Sequence, residues 1–430
     1  MAPLTDTPAR APLTPLDAAL ADLMAHAHPL PNPEFISTFD ADGRVLAQDL
    51  TASLNVPAND NSAMDGYAVR AVDCVDAGTA LQVSQRIPAG ISTSGLKPLA
   101  PFSAARIFTG APIPPGADAV VMQEDCTAIE GDSGAGSSAG SSSGAYVRVR
   151  VAPAPGQHIR RGGEDVAAGD VVLPAGARLG PASLGLAASI GFDQLQVARR
   201  VRVALFSTGD ELVMPGDVLP QDMLSGAIYN SNRFFLRTLL QRLGCEVTDM
   251  GIVPDRLDVT IKALKTASTR HDLILTSGGV SVGEEDHIKP AVRALGELNL
   301  WQIAIKPGKP FAYGKVNAAH FIGLPGNPVS SFVTFLLLVR PFILKLQGAT
   351  NLATKSIAAT AHFTWAKADK RREFLRVRQN AAGGLDLFEN QSSGVLTSAV
   401  WGDGLLDNPP GQKIAPGDSV QFIPFSSLLY

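Results

Sequence analysis

The chain has 430 residues, of which 45% are hydrophobic and 18% charged, and a formal net charge of -4. That length exceeds one hydrophobic core and predicts two to four domains, while the near-neutral charge excludes a strongly basic nucleic-acid surface or an electrostatic attachment to anionic membranes. Three widely spaced cysteines (Cys74, Cys126 and Cys245) form no CxxC pair and no metal-ligand pattern, and suit a reducing, cytoplasmic setting.

Residues 1–15 have neither a basic n-region nor an apolar h-region and do not read as a signal peptide. Thr14-Pro15-Leu16-Asp17 reads as a helix start capped by Thr14, and Leu16, Leu20 and Leu23 share one face of a helix over 15–26. From residue 39 to 151, short β-rich runs broken by Gly and Pro predict an all-β module. Its Gly/Ser-rich stretch at 131–144 asks for nothing more than a solvated hairpin extension. Pro181 opens another helix. From Val201 the pattern alternates, with strands at 201–206, 245–253 and 272–277 and helices at 233–243, 257–267 and 288–295. This predicts a doubly wound, mostly parallel α/β domain with its ligand site at the carboxyl ends of the strands. Short strands at 302–305, 311–314 and 320–322 precede a helix from Pro328 to about Leu346. Its apolar stretch at 332–339, stopped by Arg340-Pro341, is too short for a bilayer and reads as a core helix. The segment after Gly348 reads as a small β domain.

The richest stretch chemically is Ser277-Gly278-Gly279-Val280-Ser281-Val282-Gly283-Glu284-Glu285-Asp286, directly behind an apolar strand. Its glycines let backbone N–H groups approach an anion, but its acidic tail suits an anion held together with a cation. Asp210 and Glu211 follow the preceding parallel strand, where a carboxylate either ligates a hard cation or caps the next segment; position leaves the two equal. Asp255 ends another strand. Carboxylates at three strand ends of one sheet (Glu211, Asp255 and Asp286) predict a divalent-metal site, because gathered like charges are costly without a cation. Lys306-Pro307-Gly308-Lys309-Pro310 sets two lysines on a rigid turn, suited to a phosphate or oxyanion and equally to a surface loop. Gly323-Leu324-Pro325-Gly326-Asn327-Pro328 offers a helix N-terminus to an anion, or simply a well-capped turn. No Ser/His/Asp or Cys/His set, no P-loop and no strand-linked GxGxxG is present, which argues against nucleophilic hydrolysis and against those nucleotide sites.

Seven segments in order carry a resemblance: 61–70 (NSAMDGYAVR), 108–125, 159–166 (IRRGGEDV), 204–212 (ALFSTGDEL), 277–286, 305–315 (IKPGKPFAYGK) and 323–330 (GLPGNPVS). Together the chain resembles the molybdopterin molybdenumtransferase (MoeA-type) family and the related domain of gephyrin. The resemblance implies an elongated, four-domain α/β homodimer that inserts molybdate into adenylylated molybdopterin, requires Mg2+ and releases AMP. It implies as partners a molybdopterin adenylyltransferase and downstream molybdoenzymes or their chaperones, with no nucleic acid and no membrane. The expected division is a discontinuous linker and dimerisation domain (10–55 and 150–198), a β-rich inserted domain (56–149), the α/β molybdopterin-binding domain (199–348) and a C-terminal β domain (349–430). By motif, Glu211, Asp255 and Asp286 fall on the metal and molybdate side, and Lys306 and Lys309 on the basic side. Ser277, Gly278, Gly279 and Ser281, with Pro325 and Pro328 of the next loop, fall on the pterin-nucleotide side. Asp65, in a catalytic role, and Thr109, Glu164 and Asp165 are implied to face the pocket across a dimer cleft, and Arg376 and Ser393 to reach it from the C-terminal domain. The chain departs from the family at Gln302, where many members carry lysine, and at the 131–144 insert.

Overall fold

In the computed structural model, which describes residues 12–129, 145–280 and 287–429, the chain divides into two units. The larger comprises Met1–Gln48, Ala175–Gly180 and Gln194–Tyr430, the smaller Asp49–Pro174 and Pro181–Asp193. The expectations placed on Ser281, Asp286 and the 131–144 stretch lie outside the described residues.

The larger unit is built on β1 (Arg202–Thr208), α1 (Asn232–Arg242), β2 (Glu246–Val253), α2 (Leu257–Ser268), β3 (Leu273–Ser277), α3 (Ile288–Leu295), β4 (Gly296–Gln302), β5 (Pro310–Val316), β6 (Ala319–Leu324) and α4 (Pro328–Leu346). The strand order is β2-β1-β3-β6-β5-β4. β2, β1, β3 and β6 run parallel, and β5 and β4 are antiparallel. Because side chains alternate along a strand, each strand feeds two cores. Val203, Leu205, Leu273, Leu275 and Ile322 face one, with Leu236, Leu239 and Leu240 of α1 and most of α4. Ala204, Phe206, Ile274 and Phe321 face the other, with Leu264 of α2 and Ile288 and Val292 of α3. Helices on both faces make the sheet doubly wound, as the alternation predicts, and each fully buried aliphatic side chain contributes roughly 1.5–3 kcal/mol.

Three local expectations change. Thr14 does not cap the first helix: Leu16–Ala25 starts behind Pro15, and Thr14 pairs its backbone with Gln302 and Ala304 instead. β4 begins six residues before the predicted strand at 302–305, and Ile305–Lys306 leaves this sheet for the C-terminal one. Alternation was too weak to show it, since β4 is a largely exposed edge strand. Finally, Arg340-Pro341 does not stop the helix. A π-helical turn at Phe335–Val339 lets α4 run on through the proline, the usual way a helix absorbs a missing N–H donor. The full Pro328–Leu346 is thus long and apolar enough to cross a membrane, but 89% of its window is buried inside the protein, which makes it a core helix.

Residues 357–424 supply five strands of a second six-stranded sheet, and Ile305–Lys306 the sixth: Ile305–Lys306, Arg372–Gln379, Gly404–Asn408, Ser419–Pro424 and Ile357–Thr360 in order, with Leu385–Leu387 beside Arg372–Gln379. The smaller unit holds a six-stranded sheet in the order Ala119–Met122, Gly66–Val69, Ser103–Ile107, Thr79–Ile87, Tyr146–Val149 and Cys126–Ile129. It packs a core on each face.

Candidate functional site

Register places the relevant loops at one sheet edge. Thr208 of β1 pairs with Val253 of β2, Ser207 with Ser277 of β3, and Ser277 with Leu324 of β6. The residues that follow, Gly209–Glu211, Pro254–Asp255, Gly278–Val280 and Pro325–Asn327, therefore leave the sheet side by side. Antiparallel β4 ends and β5 begins at this same edge, since Gln302 pairs with Pro310 and Ala312 with Gly323.

The glycine loop is held by close approach. Gly278 and Gly279 adopt φ of 95° and 69°, the left-handed region that disfavours side chains. A Cβ on Gly278 would lie 2.8 Å from the Thr208 carbonyl oxygen, and one on Gly279 would lie 2.5 Å from Ile288 Cγ1. Ser277 is buried, and its hydroxyl accepts a 2.7 Å hydrogen bond from Asn232 Nδ2, which also donates to the Gly326 carbonyl at 2.6 Å. One amide of α1 thereby ties the glycine loop to the Pro325–Asn327 turn. Sequence reading missed Asn232, because an asparagine at a helix start reads as a cap.

Asp255 N–H donates to Asp210 Oδ1 at 3.2 Å. Burial, and then the charges of Asp210 and Glu211, raise the Asp255 carboxyl above its ordinary range, against the pull of His287, whose charge and backbone N–H favour the ionised form. Glu211 folds back over its own turn, its carboxylate 2.6 Å from where a Gly209 Cβ would stand. The structure thus groups Asp210, Glu211 and Asp255 electrostatically, adding Asp210 to the expected residues.

Lys306 lies in the strand that pairs with Arg372 and Glu373, and its ammonium donates to Glu373 at 3.0 Å and reaches Asp369 at 3.3 Å. Its charge is engaged by the C-terminal sheet. Lys309 instead lines a cavity with Val280 and Gln302. Pro328 opens α4, and the Pro325 carbonyl accepts from Ser331 Oγ. The Val329 N–H of α4's first turn donates to the Ser393 carbonyl at 2.9 Å, so the C-terminal segment occupies part of that helix end. Arg376 is 1% exposed. Its guanidinium donates to Ser398 Oγ and to the Phe374 and Ser392 carbonyls, and desolvation lowers it to about 10.

In the smaller unit, Asp65 accepts two 2.7 Å hydrogen bonds, from the Thr109 backbone and hydroxyl, which lower its carboxyl. Glu164 accepts from Arg161 N–H at 2.8 Å within its own turn, and Asp165 N–H donates to the Val56 carbonyl at 3.0 Å. Asp65 and Thr109 are thus brought together, and Glu164 and Asp165 occupy a separate turn.

Comparison with known proteins matches residues 14–191 to the MoeA N-terminal region (domain I and II), 204–345 to a probable molybdopterin binding domain, and 358–425 to the MoeA C-terminal region (domain IV). The chain is 41% identical over 403 residues to the molybdopterin molybdenumtransferase of Haemophilus influenzae, spanning 92% of this chain and 95% of that one. It is 36% identical over 416 residues to molybdopterin molybdenumtransferase 2 of Mycobacterium tuberculosis, spanning 94% and 96%. A solved structure of the molybdopterin biosynthesis moeA protein from Pyrococcus horikoshii OT3 superposes with a TM-score of 0.80 at 28% identity, covering 96% of this chain and 100% of that one. With the glycine loop, the strand-end carboxylates and the lysine turn set at one sheet edge, and with relatives matched along nearly the whole length, the chain belongs to the molybdopterin molybdenumtransferase family, transferases of molybdenum cofactor biosynthesis.

Proposed function

We propose that this transferase inserts molybdate into adenylylated molybdopterin, with release of AMP and dependence on Mg2+. The observation that carries the reading is the edge itself, where a backbone N–H loop for an anion adjoins mutually repelling carboxylates. Among the described residues no group of three His, Cys, Asp or Glu side chains stands ready-made for a metal. The fit rests on donor chemistry: Asp210 and Glu211 both raise Asp255, a repulsion that a hard cation taking oxygen ligands relieves. Glu211 and Asp255, with Asp286 as the third carboxylate of the sequence motif, would hold Mg2+, which when bound supplies charge neutralisation at the phosphate bridging to AMP.

The chain's own groups do the remaining work. Gly278 N–H donates to the Leu324 carbonyl and fixes the loop on the sheet, Gly279 brings its backbone N–H close to the pterin nucleotide, Asn232 keeps that loop in register with Pro325–Asn327, and Lys309 holds the oxyanion. Arg376 and Ser393 act by fixing the C-terminal segment on α4. The proposal includes a cytoplasmic homodimer of four domains per chain, in which Asp65, Thr109, Glu164 and Asp165 complete the partner's site, supplied by a molybdopterin adenylyltransferase. Purified protein mixed with adenylylated molybdopterin, Mg2+ and either molybdate or tungstate should release AMP only when an oxyanion is present, and EDTA should stop it. AMP release that ignores the oxyanion would show a simple nucleotide hydrolase and overturn the proposal.

A further inference from the structure

Three segments of the smaller unit meet at Arg106. It stands one residue before the end of the Ser103–Ile107 strand, opposite Tyr67 of Gly66–Val69 on one side and Arg86 of Thr79–Ile87 on the other. Residues opposite one another share a face of the sheet, and Phe108, two positions on, returns to that face. The Arg106 guanidinium carbon lies 5.2 Å from the centre of the Tyr67 ring and 4.8 Å from that of Phe108, and Arg86 lies 4.6 Å from Phe108. The same guanidinium donates to the Gly66 carbonyl through Nη1 at 2.9 Å and to Gln123 Oε1 through Nη2 at 2.7 Å.

Each of these anchors adjoins the Asp65–Thr109 pair. Gly66 follows Asp65, Phe108 precedes Thr109, and the Gln123 N–H donates to the Asp65 carbonyl at 3.0 Å. Gly66 and Ile107 are the last partners of their ladder, so beyond them strand pairing no longer sets Asp65 against Thr109. Arg106 spans that gap. Its planar fork, stacked on two rings, fixes both strand ends and the Gln123 turn at once. The exposed Asp65 carboxylate then takes its two 2.7 Å bonds from Thr109 in one orientation, and the Arg106 charge adds to what these bonds do in keeping it ionised.

We infer that Arg106 is a positioning residue of this transferase: it holds the Asp65 carboxylate and Thr109 in the arrangement in which the pair meets substrate. The inference rests on the place in the site proposed for Asp65 and Thr109, and its test separates the two. Arg106→Gln, which loses the fork and the charge, should lower kcat for AMP release about ten- to hundredfold while KM for adenylylated molybdopterin stays within about twofold. The Thr109 amide should exchange with deuterium about tenfold faster or more. Arg106→Lys, which keeps the charge without the two-pronged contact, should stay impaired, and it carries the comparison if Arg106→Gln does not fold. In an Asp65→Asn background, Arg106→Gln should slow single-turnover AMP release by less than about twofold, because an arginine acting through Asp65 has nothing left to position. A folded Arg106 variant with wild-type kcat, or with lost kcat and unchanged Thr109 exchange, overturns the inference while an impaired Asp65→Asn leaves the site reading standing. A fall as large in the Asp65→Asn background as in the wild type shows an effect of Arg106 that bypasses Asp65 and overturns it too. Asp65→Asn protein that works like the wild type removes Asp65 from the site and takes the inference with it.

Discussion

Replacing Asn232 by alanine tests whether the two loops at the sheet edge are truly held by one amide. The substitution removes the bonds to Ser277 Oγ and to the Gly326 carbonyl. The Ser277 hydroxyl is buried at 3% exposure, so leaving it unpartnered costs about 1–3 kcal/mol. Gly326 is exposed and its carbonyl can turn to water, so that loss is only about 0.5–1.5 kcal/mol. Against this, Asn232 Oδ1 is itself buried without a partner, and its removal returns about 1 kcal/mol. The net expectation is a loss of about 1–3 kcal/mol, read as a lowered urea midpoint at unchanged m-value. In AMP-release kinetics the KM for adenylylated molybdopterin should rise several-fold, because loops released from one another bind the nucleotide in more than one geometry. Asn232→Asp, which keeps the shape but loses the donor, should behave at least as badly. If Asn232→Ala unfolds within about 0.5 kcal/mol of the wild type and its KM is unchanged, the amide is a bystander and the reasoning is refuted.

Other perturbations separate the remaining arguments. Gly279→Ala should destabilise by about 2–5 kcal/mol, combining left-handed backbone strain with the 2.5 Å approach to Ile288, and a urea midpoint close to wild type would show that Ile288 yields. Asp255→Asn should leave stability unchanged or raise it by up to about 1 kcal/mol, since like charges are relieved, while AMP release falls at least a hundredfold; retained activity would remove Asp255 from the metal site. Lys306→Met should cost about 1–3 kcal/mol, because Glu373, 1% exposed, loses its ion-pair partner but keeps the hydrogen bonds from Trp365 Nε1 and Asn408 Nδ2, and a variant that loses turnover with no loss of stability would return Lys306 to a direct role with substrate. Burial, with Lys315, His26 and His28 nearby, depresses His320 to about 4 against the pull of Asp272, and its ring Nδ1 lies 3.0 Å from the Tyr313 hydroxyl. The folded state therefore refuses a proton that the unfolded chain accepts near pH 6.5, so stability is full above that pH and falls by up to roughly 3 kcal/mol as pH drops to about 4. Urea titrations at both pH values should show that loss in the wild type and not in His320→Gln.

What could be read from sequence followed periodicity. α3 falls at Ile288–Leu295 and α1 ends before Gly244, because helix faces and a left-handed glycine are local signals. β4 left no such signal: as an exposed edge strand it carries no inward alternation, and only its pairing with β5 defines it. The same limit applies to the site. Carboxylates at strand ends were visible as a pattern, because a parallel sheet fixes which ends share an edge. Whether Asp210 or Glu211 contacts Asp255 was not, since two consecutive residues leaving a strand point differently and only loop geometry decides. Asn232 and Ser277 lie 45 positions apart in sequence, and no spacing rule links a helix start to a strand end across that distance.

The C-terminal sheet changes how the basic and anionic parts of the site are divided. Reading the motifs alone, Lys306 and the α4 N-terminus are the natural anion holders. In the fold both are occupied by one neighbour: Lys306 by Glu373 and Asp369, and the Val329 N–H by the Ser393 carbonyl. Arg371 in turn holds Asp369 far below the ordinary carboxylate range, which keeps it charged for Lys306, and Arg376 clamps Ser392 next to Ser393. The Lys306 and Val329 contacts join the C-terminal part to segments leaving the α/β sheet edge, and the Arg371 and Arg376 contacts brace them from within it. The positive groups that line a cavity at this edge are then Lys309 and Lys289. Lys306, Arg376 and Ser393 serve the site by setting where the Lys306–Lys309 turn and the start of α4 stand. The C-terminal sheet also shares a core with α4, through Phe374, Leu405 and Ile423, so truncating those side chains should lower stability, whereas a change confined to the Val329–Ser393 link should be read first in substrate binding.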